Sequence, residues 1–454
     1  MTRNHAHFIA ALCASLLFAG AASAQQEAQQ DSTIDLGWLS DDDHGGITVT
    51  SGKTYNRVEG LPVLLGPTYK GRVGRGDLTI SALGILRTAH GFHWDAENVG
   101  HRLSADLKFG GRRGFALGVS SFDVVEKIEP WQLTEPDGAL ASFFAKRDYF
   151  DHFGRHGARG YASLFRGDIA SVSLGYTRER WSSRRARDVF TLFRGDDSWR
   201  VNPRVNDGLA HVIDLSANLD TRNNPVDPRG GWFISARYEY GRGDFETAGT
   251  RIVSPVDAAT VDLKYGRALV DLRRYNRISP KRQLNARLVI GGWLHGDQLP
   301  LQRRLSVGGP GTLPGFDFRV LGIGTDVGQC SSDGNQLPGR PAECERVALA
   351  QLEYRHELVS ELFDVFNRNG IRVRGAVFRV KPSAVVFADA GRGWLVGPGQ
   401  ENLRYSAWSL PGFDTFRTDV GVGLDLGIVG IYVAKAVSVA EEPANVFVRF
   451  RNRF

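Results

Sequence analysis

His211, Asp214 and Ser216 fall in one short stretch and supply, by type, the base, orienter and nucleophile of a hydrolytic triad. The surrounding pattern separates them. Ile213, Leu215, Ala217 and Leu219 alternate with Asp214, Ser216, Asn218 and Asp220, so the segment reads as a strand in which His211 projects to the opposite side. No enzyme is expected. Asp41, Asp42, Asp43 and His44 have the residue types of a cation site, but a like-charge run without periodicity reads as a solvated linker. Gly71-Arg72-Val73-Gly74-Arg75-Gly76 resembles a phosphate loop only in composition, because no helix signal follows it. Cys330 and Cys344 share one long connection with no histidine between or near them; two thiolates do not complete a tetrahedral zinc site, so the pair reads as a disulfide. Neither a metal nor any other cofactor is expected.

The elements that would position such groups are strands. Leu103, Ala105, Leu107 and Phe109, then Val172, Leu174 and Tyr176, then Trp232, Ile234, Ala236, Tyr238 and Tyr240 each alternate with polar neighbours. The same period runs through Ala348, Ala350, Leu352 and Tyr354, and through Val420, Val422, Leu424 and Leu426. One stretch interrupts the pattern. Gly308-Gly309-Pro310-Gly311-Thr312-Leu313-Pro314-Gly315-Phe316-Asp317-Phe318-Arg319 combines glycines, which permit positive φ, with prolines, which cannot donate to a ladder, so it reads as a shaped loop between strands.

Composition and chain ends choose between a sandwich and a membrane barrel. Arg3, the apolar run from Phe8 to Ala19 and the triplet Ala22-Ser23-Ala24 have the layout of a secretory signal peptide, with cleavage expected after Ala24. Past that point no apolar run is long enough for a membrane helix, and 54 glycines with 26 phenylalanines but a single methionine suit short strands and tight turns. Trp232, Tyr238, Tyr240, Tyr354 and Trp293 fall near strand ends on the apolar face, as an aromatic girdle would. Connections alternate short, as Thr221 to Gly230, with long, as Leu299 to Glu345. In the last segment Val446, Val448, Phe450 and Phe454 share a face opposite Phe447, Arg449, Arg451 and Arg453, which predicts a lipid-facing Phe454 and arginines in a watery lumen. A net charge of +6 is too mild and dispersed to argue for nucleic acid. The expected organisation is a signal peptide over 1–24, a polar periplasmic linker over 25–45 and one all-β, antiparallel, up-and-down transmembrane barrel over 46–454.

These residues resemble the BamA/TamA-type outer-membrane barrels, the bacterial surface antigen family. Leu219-Asp220-Thr221-Arg222-Asn223-Asn224-Pro225 with Pro228-Arg229-Gly230-Gly231-Trp232 is similar to a periplasmic turn of the family, and the Gly308 stretch to its sixth outer loop, which folds into the lumen. Leu352-Glu353-Tyr354-Arg355 and Phe387-Ala388-Asp389-Ala390-Gly391 are similar to the wall strands that face this loop. The resemblance implies sixteen strands, a lumen loop built from Gly308, Gly309, Leu313, Pro314, Gly315, Phe316 and Arg319, an assembly signal at Phe450 and Phe454, and insertion or translocation of polypeptides at the Gram-negative outer membrane. Implied partners are outer-membrane lipid and lipopolysaccharide, and the barrel-assembly machinery for the protein's own insertion.

The sequence departs from the family in two places. The span before Gly46 is too short for the periplasmic POTRA modules, which leaves room for a separate periplasmic partner, and Pro314 stands where the family loop carries an arginine. The wall carboxylates Glu353 and Asp389 would then be met by Arg319, Arg303 or Arg304. The competing reading is a passive or gated pore with an arginine-rich lumen.

Overall fold

The structure is a computed structural model that describes residues 34–35, 45–51, 55–91, 95, 97–246, 260–318, 344–358, 371–373, 376–378, 382–396, 405–406, 409–427, 429–450 and 453–454. The signal peptide, Arg319 and Cys330 lie outside the described residues, as does most of the expected linker. Within that linker Ile34–Asp35 (β1) pairs with Gly45–Ser51 (β2), with Ile34 opposite Val49.

One antiparallel sheet accounts for nearly everything else. Its strands are β2 (Gly45–Ser51), β3 (Pro62–Val73), β4 (Gly76–Arg87), β5 (Val99–Phe109), β6 (Arg113–Ile128), β7 (Asp151–Arg166), β8 (Ala170–Ser183), β9 (Gly208–Asp220) and β10 (Gly230–Glu246). It continues through β11 (Thr260–Ser279), β12 (Arg282–Gly296), β13 (Arg346–Glu357), β16 (Ser383–Trp394), β17 (Arg417–Asp425), β18 (Val429–Ala436) and β19 (Asn445–Phe450). Each pairs with the next in sequence; β13 pairs directly with β16 because β14 (Ile371–Val373) and β15 (Ala376–Phe378) form a hairpin of their own. This is an up-and-down meander. The links 73–76, 109–113, 166–170, 279–282 and 425–429 are tight and share one end, whereas 87–99, 128–151, 183–208, 296–346 and 394–417 share the other. The link 357–383, at the end of the tight turns, is the exception to the expected alternation, and it holds the β14–β15 hairpin.

The two faces of the sheet are inverted relative to a soluble sandwich. Leu117, Val119, Leu174, Ile213, Leu215, Leu288, Ile290, Leu352, Val422 and Val448 are exposed, while Glu179, Glu239, Asp271, Arg287, Glu353, Asp389 and Arg449 on the opposite parity are buried. Charges are tolerable there because they are paired. Arg287 Nη2 meets Asp271 Oδ2 at 2.8 Å, Arg267 Nη2 meets Glu239 Oε2 at 3.0 Å, and Arg155 Nε meets Glu179 Oε2 at 2.7 Å. An exposed apolar band with a charged interior is the arrangement lipid demands of a spanning sheet. His211 and Asp214 do point apart, His211 toward Tyr176 on the apolar face and Asp214 to Arg159 on the polar one.

Two expectations need correction. Trp293 is not part of an outer girdle: it has the parity of the buried Asn285, Arg287 and Val289, and its indole is buried with Nε1 donating to the Asp297 carbonyl at 2.8 Å. Nor does Phe454 face outward. The last strand ends at Phe450, and Phe454 is buried (8% exposed) with its ring 6.5 Å from that of Tyr275.

At the long-connection end, α1 (Glu135–Ala145) sits in the link between β6 and β7, where Ala139 and Phe143 pack with Tyr55, Leu61 and Val189. Thr134 caps it by accepting from the Asp137 N–H, and a proline occupies its first turn. Beside it Arg57 is fully buried between Asp148, 2.8 Å away, and Asp151, 2.9 Å away. Burial pushes the Asp148 carboxyl up, but the Arg57 guanidinium and His152 override it and hold the group below the usual carboxylate range.

Candidate functional site: a glycine loop on the polar face

The Gly308 stretch is a folded object. Gly308 and Gly309 take φ of 109° and 94°, a region costly for any side chain, and this lets Gly309 N–H reach the Leu313 carbonyl at 3.1 Å while Gly308 N–H reaches Thr312 Oγ1 at 2.8 Å. Thr312 N–H returns to the Gly309 carbonyl, and Phe316 N–H to that of Leu313. The turn presents Leu313 and Phe316, 0% and 1% exposed, to an apolar patch of Val289, Leu305, Val307, Val347 and Leu349. Burying two such side chains contributes roughly 3–6 kcal/mol toward seating the loop, before ordering costs.

Its polar contacts with the sheet come from β13 and from β17 and β19. Gly315 N–H donates to Asp419 Oδ2 at 2.7 Å, Gln351 Nε2 to the Thr312 carbonyl at 2.9 Å, Asn445 Nδ2 to the Pro314 carbonyl at 3.2 Å and Arg449 Nη1 to the Pro310 carbonyl at 3.0 Å. From the other side Gln132 Nε2 donates to the Ser306 carbonyl at 2.9 Å, and Ser306 N–H to Glu129 Oε1 at 2.6 Å. The loop is thus held between the β6–β7 link and β17–β19. Gly315 is required by space as well: a Cβ there would lie 2.5 Å from that of Asp419 and 2.7 Å from the Ala436 nitrogen.

The wall carboxylates lie where the sequence puts them, on the buried face, but their partners differ from those expected. Asp389 pairs with Arg453 near the chain end, and the Arg453 guanidinium also stacks over Phe387 at 3.7 Å. Glu353 accepts from Asn285 at 3.1 Å and from Arg355 at 3.3 Å. Arg303 instead serves Glu239 at 2.7 Å, and Arg304 Nε donates to the Leu299 carbonyl at 3.0 Å. The geometry explains this: Arg303 ends the short 3-10 turn Leu301–Arg303, which is held by Glu239 of β10 and Arg267 of β11, away from β16. The acid opposite Asp389 is not Glu353 but Asp419, its direct cross-strand neighbour. Arg449 and Arg453 are buried and ion-paired rather than bathed in water.

A further contact was not foreseen. Asp137, in the first turn of α1, holds Arg449 Nε at 3.0 Å and accepts the Phe450 N–H at 2.6 Å, so the helix grips the final strand by both side chain and backbone. Thr134-Glu135-Pro136-Asp137 carries the cap, proline and acid of a helix start, and that signal was available in the sequence.

Cys344 is fully buried and disulfide-bonded, and it exchanges backbone hydrogen bonds with Leu305 at 2.7 and 3.0 Å. Cys330→Ser should leave the sheet intact while rendering the 319–343 link several-fold faster to cut by added protease, since the Leu305 pairing persists without the bridge. Equal cleavage rates for both proteins would show that the staple orders nothing.

Apolar on one face, charged on the other and carrying a shaped loop against the charged face, the fold is that of an outer-membrane sheet protein. The chain belongs to the Omp85 superfamily, whose domain matches residues 128–428. It is accordingly an outer-membrane protein of Gram-negative type and not an enzyme. Solved structures with similarity include BamA from Haemophilus ducreyi lacking POTRA domains 1–3, at 15% identity and TM-score 0.48 over 98% of this chain and 77% of that one. CdiB from Escherichia coli matches at 11% identity and TM-score 0.34, over 89% and 61% of the two chains. CdiB from Acinetobacter baumannii does so at 11% and 0.35, over 89% and 59%. No curated protein matches the chain in sequence.

Proposed function

We propose that the sixteen longer strands close as a barrel with β19 against β2, that the Gly308 loop occupies its lumen, and that the protein inserts or translocates polypeptides at the outer membrane. The observation that carries this reading is the seating of the loop on the closing strands. Asp419, Asn445 and Arg449 all bond to it, so any movement of β19 disturbs the loop and any displacement of the loop frees β19. A substrate entering at the seam and a lumen that opens are then one event. The tight turns face the periplasm and the long connections face outward. Phe450 and Phe454 serve as the assembly signal read by the barrel-assembly machinery, and a separate periplasmic protein delivers the substrate.

Purified protein in phospholipid vesicles should accelerate the folding of an added denatured outer-membrane barrel several-fold over empty vesicles, read by heat-modifiable migration. No acceleration, together with steady anion-selective conductance, would favour the pore. That second reading has its own observation: a cavity of about 740 Å³ lies beside the loop, lined by Arg102, Arg155, Arg159, Arg237 and Arg267 among others.

A further inference from the structure

A row of basic side chains crosses the apolar face at the long-connection end. Arg178 of β8 stands opposite His211 of β9, His211 opposite Arg242 of β10, and Arg242 opposite Lys264 of β11. All four have the outward parity: Leu174 and Tyr176 precede Arg178 on its face, Ile213 and Leu215 follow His211, and the alternating neighbour Tyr265 is fully buried. Arg178, Arg242 and Lys264 are exposed. Like charges directly opposed across a ladder are destabilising, so three cations and a histidine in register need a counter-charge. The chain supplies part of it at one end, where Lys264 meets Asp262 at 3.0 Å and Asp244 stands opposite Asp262 on the same face, but among the described residues Arg178 and Arg242 make no ion pair. Arg180, one step beyond Arg178 on the same face, is also exposed and unpaired among the described residues.

Immediately below the row the surface changes character. Tyr176 hydroxyl meets His211 Nδ1 at 2.8 Å, Tyr238 hydroxyl meets His295 Nε2 at 3.1 Å, and Tyr240 stacks on His295. These rings form the polar edge of the apolar band, the level at which acyl chains give way to headgroups. The cations therefore stand at headgroup height, spread across three strand spacings of roughly 4.8 Å, or about 14 Å. Guanidinium forks favour phosphate.

We propose that Arg178, His211, Arg242 and Lys264 form a binding site for the phosphorylated headgroup of lipopolysaccharide, whose acyl chains lie along Leu174, Ile213 and Leu215. The choice of lipid rests on the outward orientation of the long connections proposed above, because that leaflet carries phosphate on a glycolipid. The exposed pair Arg113 and Arg166, opposed across β6 and β7 at the tight-turn end, faces the other leaflet and provides the internal control.

The test compares full-length protein with R178Q/R242Q/K264Q and with R113Q/R166Q, each extracted from outer membranes, washed identically in detergent, and assayed for lipopolysaccharide per protein. Each is also mixed with phosphatidylcholine vesicles containing either lipopolysaccharide or phosphatidylglycerol. All should show the same heat-modifiable migration. The triple variant should retain about tenfold less lipopolysaccharide than wild type, and wild-type binding should weaken in high salt. Equal retention by the triple variant, loss in R113Q/R166Q instead, or a wild-type preference for phosphatidylglycerol would each overturn the site. Folding acceleration measured in phospholipid-only vesicles reports separately on the proposed function, so either can fail while the other stands.

Discussion

Asp137→Ala should destabilise the folded protein by about 3–5 kcal/mol, the cost of leaving a buried arginine without its carboxylate. Arg449 and Asp137 are both nearly fully buried, and the substitution also orphans the Phe450 N–H. The effect should appear as a lower urea midpoint by tryptophan fluorescence in detergent, with a smaller heat-modifiable fraction. Pairing the change with Arg449→Met should recover part of the loss, since removing both charges is milder than stranding one. A single variant as stable as wild type would mean that the helix rests on the last strand without holding it.

The second large effect is expected at Gly315. Valine there would place its Cβ against the Asp419 side chain and the backbone of residues 435 and 436, none of which is the free end of a flexible chain. The sheet is held by long ladders and will not yield, so the loop must leave its seat, exposing Leu313 and Phe316 and freeing Asp419. Single-channel conductance of Gly315→Val in a planar bilayer should rise several-fold over wild type, with heat-modifiable migration retained. Unchanged conductance would place the loop outside the conducting path.

Much of the sheet was legible because period two survives wherever one face meets lipid and the other meets charge, as in Ile213 to Asp220 and Leu352 to Arg355. The Gly308 loop was legible for the opposite reason, as glycine and proline where no strand can form. What the sequence hid were long-range partners. Arg453 meets Asp389 and Asp137 meets Arg449 through contacts that no spacing rule encodes, and Phe454 turned inward because the strand ends at Phe450, a change of path that parity does not register. Trp293 has the parity of the buried Asn285, Arg287 and Val289 and lies inward for that reason; the register shifts only beyond it, at Leu294. The α1 start was legible in principle, but a buried helix inside a sheet protein lacks the amphipathic stripe that usually draws attention.

Asp137 and Arg449 are 312 residues apart in the chain, so the carboxylate is made long before the arginine that neutralises it. Until β19 arrives, the carboxylate of α1 has no cation, and the Pro310 and Pro314 carbonyls of the loop lack their donors. Neutralising the buried acids Asp137 and Asp389 therefore depends on β19 and on Arg453 beyond it. A polypeptide without β19 keeps the other ladders yet carries an unneutralised Asp137 and a loop without its Asn445 and Arg449 bonds. The grip of α1 on β19 thus couples the β6–β7 link to a strand more than 300 residues away, so that helix and strand settle together.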